Sequence, residues 1–223
     1  VFLSLVLRHQ PDAAGITLAA AGSLAWFQNT FGQDKQRQAQ SKGTTPFALW
    51  DLAAEAAGPG AHGLLFLPYL SGERCPVNDP DARGAFVGIT ALNTDGDFAR
   101  AVLEGVAYSL RQVAELMAQM PSYKKPTEIV ISGGGSKSAF WRRIIADGFR
   151  LPVLQTYGAA EGGAFGAALV AGAGCGLWES LPQALEILRV QDVTDPSADA
   201  ERYEAPYQTY TKLYQALQTI QAK

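Results

Sequence analysis

The chain has 223 residues, of which 48% are hydrophobic, and a formal net charge of −3. That content can bury the core of one large domain or two small ones, and the slight acidity without a basic run disfavours nucleic acid as a partner. Cys75 and Cys175 lack metal-ligand spacing, which disfavours a zinc site or a disulfide framework and predicts two buried, reduced thiols.

The first residues are apolar and strand-like. Residues 1–7 lead into a turn at 11–15, and residues 16–17 are predicted to return as the second strand of a hairpin. The apolar run stops at Arg8 without a charged leader or a small-residue cleavage site, and the chain does not begin with methionine. We therefore expect a fragment of a longer, cytoplasmic polypeptide.

Two helices and two strands are predicted next. A helix over residues 18–31, with small side chains at 20–23 that leave room for something bulky, precedes a polar loop at 33–45 and a helix at 46–57. An apolar run at 64–70 and an alternating strand at 84–90 follow.

The rest of the chain alternates helices and strands, which is typical of α/β layering. The predicted order is helix 97–120, strand 129–131, helix 138–149, strand 151–155, helix 160–173 and helix 200–220. The Ala- and Gly-rich helix at 160–173 contains Glu161 and is too short to span a membrane. We expect it to pack unusually close to a neighbour in a soluble domain.

Residues 132–141 read Ser-Gly-Gly-Gly-Ser-Lys-Ser-Ala-Phe-Trp and lie between a predicted strand and helix. Backbone amides at glycine can approach a ligand closely, and a helix N-terminus favours an anion, so a phosphate-bearing ligand is indicated. A P-loop fails because Ile131 and Ser136 stand at its glycine positions, and the dinucleotide fingerprint fails because Ser138 replaces its third glycine. The alternative is a tight turn without a ligand.

Two segments resemble the FGGY family of carbohydrate kinases, and most closely its xylulose kinase branch. The segment Phe-Leu-Pro-Tyr-Leu-Ser-Gly-Glu-Arg-Cys-Pro at 66–76 is similar to that branch. The C-terminal signature of the family is matched by a spaced set of residues, which are Gly84, Phe86, Gly88, Ile89, Asp97, Phe98, Ala101, Val102, Leu103 and Glu104. The resemblance covers nearly the whole chain.

The resemblance implies an α/β fold, the actin-like ATPase or ribonuclease H-like domain, with a mixed sheet flanked by helices. Residues 1–223 would form the C-terminal nucleotide-binding lobe. In that lobe Gly134 would approach the nucleotide through its backbone, and Ser138 would face the adenine or the ribose. The full set of implied nucleotide-binding residues is Gly133, Gly134, Gly135, Ser136, Ser138, Ala21 and Gly22.

Members of this family carry an Asp-x-Gly-Thr loop and a catalytic aspartate in a Gly-Asp-Asn/Gln setting in an N-terminal lobe, and neither motif occurs in this chain. The resemblance therefore implies no catalytic residue and no metal ligand here. It also implies ATP and Mg²⁺ as cofactors, and a pentulose and the N-terminal lobe as partners. It allows a homodimer and involves neither nucleic acid nor a membrane.

The implied activity is transfer of the ATP γ-phosphate to a sugar hydroxyl, with D-xylulose as the expected acceptor. We expect the fragment to be inactive alone. The alternative is a non-catalytic, actin-like nucleotide-binding or regulatory module. Glu104 and Asp147 form a candidate pair of carboxylates for acid/base chemistry, but both lie on predicted helices, which favours a structural role.

Overall fold

A computed structural model describes residues 3–5, 15–121 and 123–221. Helices within these ranges are α1 (Ala20–Phe31), α2 (Gln33–Lys42), α3 (Pro46–Ala57), α4 (Asp95–Met117), α5 (Ala139–Phe149), α6 (Gly163–Gly174), α7 (Leu181–Leu185), α8 (Glu204–Tyr210) and α9 (Leu213–Gln221). The strands are β1 (Leu3–Leu5), β2 (Gly15–Thr17), β3 (Leu65–Leu67), β4 (Ala85–Val87), β5 (Ile129–Ile131), β6 (Val153–Thr156) and β7 (Val190–Thr194).

The long helix α4 lies at the centre of the lobe. Its start is a capping box, in which the Thr94 side chain accepts from the Asp97 amide and the Asp97 carboxylate accepts from the Thr94 amide. The helix packs against α1, α3, α5 and β3. A β-carbon at Gly105 would overlap the carbonyl oxygen of Phe66, so glycine at this position lets α4 lie directly on β3.

The described strands form two antiparallel pairs and one mixed sheet. β1 pairs with β2, which confirms the strand pairing of the predicted hairpin, and β3 pairs with β4. The predicted turn at 11–15 lies outside the described residues except for residue 15. In the third sheet β6 is parallel to β5 and antiparallel to β7, and α5 lies against β6 and β7. This agrees with the predicted mixed sheet flanked by helices. Sequence reasoning missed β7, because its Val-Gln-Asp-Val-Thr residues are almost all exposed and lack a buried face.

Several residues of the FGGY-like signature serve the core, whereas Gly88 and Ile89 are exposed. The Phe86 ring lies 4.6 Å from Phe66 and 5.1 Å from Phe98, between centroids, which joins β4 to β3 and to the first turn of α4. Gly88 has φ of +91°, and a β-carbon there would lie 2.6 Å from the carbonyl oxygen of Gly63. Both observations explain why an aromatic and a glycine occur at this spacing.

Two predicted elements and the predicted burial of the cysteines differ from the structure. The polar stretch at 33–45 is largely the helix α2, with Ala39 as its buried residue and Gly43 as a left-handed C-cap; its polar sequence suits a solvent-exposed surface helix. The predicted helix at 200–220 is instead a 3-10 turn followed by α8 and α9. Cys175 is exposed and Cys75 is half-buried, so the expected pair of buried thiols is wrong.

The prediction that the small-residue helix at 160–173 packs closely against a neighbour is wrong for most of its length. Within α6 the buried residues are Leu169 and Gly172, and the other positions are exposed or half-buried. Its neighbour is the short α7, and a β-carbon at Gly172 would overlap the ring of Trp178. The small side chains therefore serve one local contact and leave most of α6 at the surface.

Candidate functional site

One cavity of about 430 Å³ brings together residues of α1, α3, α4 and the triple-glycine loop. Its walls are formed by Ala21, Leu24, Thr45, Phe47, Ala48, Asp51, Leu103, Gly134, Gly135, Lys137, Ser138 and Trp141. Four of the seven residues assigned to the nucleotide, Ala21, Gly134, Gly135 and Ser138, line this cavity. Gly22, Gly133 and Ser136 do not appear in its lining.

The beginnings of three helices meet at the cavity. Ala21 is the second residue of α1, Thr45 is the N-cap of α3, and Ser138 is the N-cap of α5. The amide groups in the first turn of a helix have no partners within the helix, and the positive end of the helix dipole lies there. Three such ends around one cavity favour a ligand that carries negative charge.

The triple-glycine loop contributes its backbone. After β5 the chain makes a 3-10 turn from Gly134 to Lys137 and then enters α5. Gly134 is exposed, has no positive φ, and would meet no atom within 4 Å if it carried a β-carbon. Nothing in the described protein requires glycine at this position, and Gly134 lines the cavity, so its backbone is open to a ligand there.

The other two glycines have structural reasons to be glycine. Gly133 has φ of +83°, and its amide donates to the carbonyl of Ala159 over 2.5 Å. A β-carbon at Gly135 would overlap the ring of Trp141, which is buried. These two residues shape the loop.

Ser136 lies under the loop. It is fully buried, its hydroxyl donates to the carbonyl of Gly133 over 2.8 Å, and its own carbonyl accepts from Arg142 over 2.5 Å. Ser136 therefore supports the loop from inside. Gly22, one residue after Ala21 in α1, is half-buried and has open space where a β-carbon would be.

The hydroxyl of Ser138 already has two partners. It accepts from the amide of Trp141 over 2.9 Å, which caps α5, and it donates to Oδ2 of Asp51 over 2.7 Å. A nucleotide beside Ser138 would therefore meet a pair, the serine and the aspartate, rather than a free hydroxyl.

Asp51 is the functional candidate that sequence reasoning missed. It lies in the second turn of α3, one helical turn after Phe47, and lines the cavity. Its Oδ1 is buried and has no hydrogen-bond partner in the described protein. Desolvation raises the pKa of Asp51 and the nearby Glu55 carboxylate adds to the rise, while the hydrogen bond from Ser138 opposes it. No local motif marks this residue, because it reaches the glycine loop only through the tertiary fold.

The cavity has an apolar floor and a polar mouth. Leu24, Leu103 and Trp141 are buried, and the indole nitrogen of Trp141 donates to the Leu103 carbonyl over 3.2 Å. Phe47 is 44% exposed, and Lys137 is exposed and forms no ion pair with a described residue. An apolar floor suits a flat base, and a cation at the mouth suits phosphate.

The two candidate acid/base carboxylates lie outside this cavity. Glu104 is buried beside Arg100, with 2.7 Å between Oε1 and Nε. Asp147 is buried and accepts from the amide and the hydroxyl of Ser197 over 2.6 and 3.0 Å. Both carboxylates hold elements of the lobe together.

A second cavity, of about 660 Å³, lies among α1, α2, β4 and the start of α4. Its walls combine five aromatic residues with polar residues of α2 and of the α4 start, and include none of the seven assigned residues. Among residues 3–5, 15–121 and 123–221, no three His, Cys, Asp or Glu side chains are placed to hold a metal ion. No helix in those ranges is both long and apolar enough to cross a membrane.

The cavity of about 430 Å³, which four of the seven assigned residues line, is the candidate site for an anionic ligand.

Comparison with known proteins identifies a family that matches most of this chain. Residues 12–175 match the model of the FGGY family of carbohydrate kinases, C-terminal domain. A xylulose kinase from Staphylococcus epidermidis is 35% identical over 99% of this chain and 43% of its own length. The chain thus spans less than half the length of this curated relative.

Solved structures agree with the sequence matches. A ligand-bound xylulose kinase from Lactobacillus acidophilus matches with a TM-score of 0.74 and 30% identity, over 92% of this chain and 39% of its own. A gluconate kinase from the same organism matches with the same TM-score, identity and coverage. These matches confirm the predicted α/β actin-like fold, and the chain belongs to the FGGY family of carbohydrate kinases.

Proposed function

We propose that residues 1–223 form the C-terminal, ATP-binding lobe of a two-lobed carbohydrate kinase. The observation that carries the proposal is the convergence of three helix N-termini and the open backbone of Gly134 on one cavity with an apolar floor. Such a cavity suits a nucleotide, because the helix ends favour phosphate and the floor accepts a base. ATP, when bound, supplies the phosphoryl group that is transferred.

The residues of this chain would bind and orient the nucleotide. Gly134 leaves its backbone open to close approach, Ala21 borders the same space, and Trp141 supports the floor. Ser138 holds the start of α5 and the Asp51 carboxylate in place. Gly135 lines the cavity and also shapes the loop, whereas Gly133, Ser136 and Gly22 act on the shape of the site without lining it.

The acceptor that we propose is D-xylulose, with D-xylulose 5-phosphate as the product. The support is the similarity to proteins named xylulose kinase, and the match to a gluconate kinase makes D-gluconate the main competitor. The resemblance implies a catalytic aspartate in an N-terminal lobe, so we place Mg²⁺ and the base for the sugar hydroxyl on that lobe.

Half of a two-lobed cleft is expected to be close to inactive, because phosphoryl transfer depends on positioning and charge stabilisation. Activity therefore belongs to the full-length protein, which we propose is cytoplasmic. A homodimer stays a prediction from the resemblance, and sedimentation of the full-length protein tests it.

The test of the activity is an assay of ADP release by the full-length protein with D-xylulose, D-ribulose, D-gluconate and glycerol. We expect the highest kcat/KM for D-xylulose. A higher value for another acceptor would overturn the sugar assignment alone. Nucleotide binding without turnover of any acceptor would overturn the kinase and favour the non-catalytic nucleotide-binding module.

The test of the site is the substitution Gly134→Val. The added side chain would occupy the open space on the cavity side, so we expect KM for ATP to rise about tenfold or more and KM for the sugar to change little. Gly174→Val is the matched control, because Gly174 is exposed at the end of α6 and also has no atom within 4 Å of a β-carbon. An unchanged KM for ATP in Gly134→Val would overturn the site.

A further inference from the structure

Asp51 lines the cavity, and one of its two carboxylate oxygens has no hydrogen-bond partner among the described residues. Asp51 uses Oδ2 to accept from Ser138, while Oδ1 is buried and accepts no hydrogen bond from the described protein. Buried polar atoms are almost always paired in native proteins, so an exception in a cavity points to a ligand group that completes the pairing.

The surrounding charges do not explain the carboxylate. On the same helix, Glu55 pairs with Arg143, and the guanidinium of Arg143 also lies over Phe140. Lys137 lines the same cavity, but it lies beyond ion-pair distance from Asp51. Within the described residues, Asp51 therefore has no cation to compensate its charge.

The helix cap does not require the carboxylate either. Ser138 caps α5 by accepting from the Trp141 amide, and this bond uses the oxygen of the hydroxyl. Asp51 receives only the hydroxyl proton, for which a water or a neutral acceptor would serve equally well. The hydrogen bond from Ser138 does fix the side chain, so that Oδ1 is held as an acceptor in a defined position.

We propose that Asp51 determines nucleoside specificity: its Oδ1 accepts a hydrogen bond from a donor of the bound nucleoside, either an amino group of the base or a ribose hydroxyl. An ionised carboxylate only accepts, so the site selects nucleosides that present N–H or O–H at this point. The inference rests on the proposed function, since it takes the cavity to be the nucleotide site.

The test measures dissociation constants of the full-length protein, by calorimetry, for ATP, ITP, 2′-deoxy-ATP and 3′-deoxy-ATP. ITP carries a carbonyl oxygen where ATP carries the amino group. If the amino group is the donor, wild-type protein binds ITP about tenfold or more weakly than ATP. If a ribose hydroxyl is the donor, one deoxynucleotide shows that loss instead. Similar affinity for all four nucleotides would overturn the proposal, and this result needs no variant.

The variant Asp51→Asn sharpens the test. The asparagine oxygen keeps the Ser138 donor, which leaves the amide N–H₂ at the place of Oδ1. If Asp51 accepts from the amino group of the base, the variant should therefore reverse the preference and bind ITP more tightly than ATP. If Asp51 instead accepts from a ribose hydroxyl, that hydroxyl can also accept from the asparagine N–H₂, so the variant should keep the wild-type order of affinities, with the matching deoxynucleotide the weakest. Equal weakening of all four nucleotides would mean a structural role and would overturn the proposal.

The control variant is Glu55→Gln, which removes a carboxylate one turn further along α3 that does not line the cavity. It should keep the wild-type order of affinities. Thermal unfolding of Asp51→Asn without nucleotide should show no loss of stability, because the substitution removes an uncompensated charge. Failure of wild-type protein to bind ATP at all would refute the proposed function itself, whereas ATP binding without selectivity would refute the role of Asp51 alone.

Discussion

The buried pair of Arg100 and Glu104 joins three parts of the lobe. Arg100 Nε donates to Glu104 Oε1 over 2.7 Å, and the two side chains are 4% and 1% exposed. The same guanidinium donates to the carbonyl of Ala54 over 3.1 Å and to the hydroxyl of Tyr203 over 2.6 Å. Glu104 also accepts from the amide of Gly60 over 3.0 Å. The pair therefore connects α4 to α3, to the following loop and to the C-terminal segment.

Removal of one partner should be costly. Desolvation raises the pKa of Glu104, and the charge of Arg100 opposes that rise. Arg100→Ala leaves the carboxylate buried without its cation, and breaking such a pair typically costs about 3–5 kcal/mol of the free energy of unfolding. Replacement of both residues by apolar side chains of similar volume, Arg100→Met with Glu104→Leu, should cost much less than the sum of the single changes.

The measurement is urea unfolding of the full-length protein and the three variants, followed by a probe that reports on this lobe. A loss below about 1 kcal/mol in Arg100→Ala would refute the reasoning, since that is the range of exposed ion pairs. Glu104→Gln should lower stability while keeping kcat at temperatures where the protein is folded. A large fall in kcat without a loss of stability would restore Glu104 as an acid/base residue.

Two further changes test the local structure. Gly135→Ala places a methyl group on the ring of Trp141 and should cost about 1–3 kcal/mol of the free energy of unfolding. Gly148→Ala, in the interior of α5 where a β-carbon meets no atom within 4 Å, should be neutral or stabilising. Urea unfolding compares the two variants, and equal effects would contradict the packing of Gly135 against Trp141. Desolvation alone would raise the pKa of Asp97, but the hydrogen bonds that it accepts, including 2.7 Å from His62, hold it below its ordinary value. This contribution to stability is present above the unfolded pKa of about 4 and is lost as pH falls through the folded value. Asp97→Asn should therefore reduce the fall in the free energy of unfolding between neutral and acid pH. An unchanged fall would contradict this role of Asp97.

Local patterns were sufficient for much of the fold. The apolar spacing of residues 97–120 predicted α4, which runs from Asp95 to Met117, and the strand, glycine turn and helix at 129–149 occur where expected. These elements could be predicted because each buries one face at a fixed period. β7 and α2 could not, since their residues are mostly exposed and carry no such period.

The site was predictable only in part. The resemblance named Gly134 and Ser138, and the structure brings both to one cavity with Ala21. It left out Thr45, because a helix cap looks the same in sequence whether or not it borders a cavity. The cavity as a whole has no sequence signal, since its walls come from separate helices.

The sequence by itself determined the family, the central helix and a glycine loop able to approach an anion. Only the tertiary structure decided that the starts of α1, α3 and α5 face one another, and that Asp51 meets Ser138 across 87 residues of chain. The physical reason is range: a helix or a turn follows from neighbours within a few residues, whereas a contact between two helices depends on how their buried faces pack around α4.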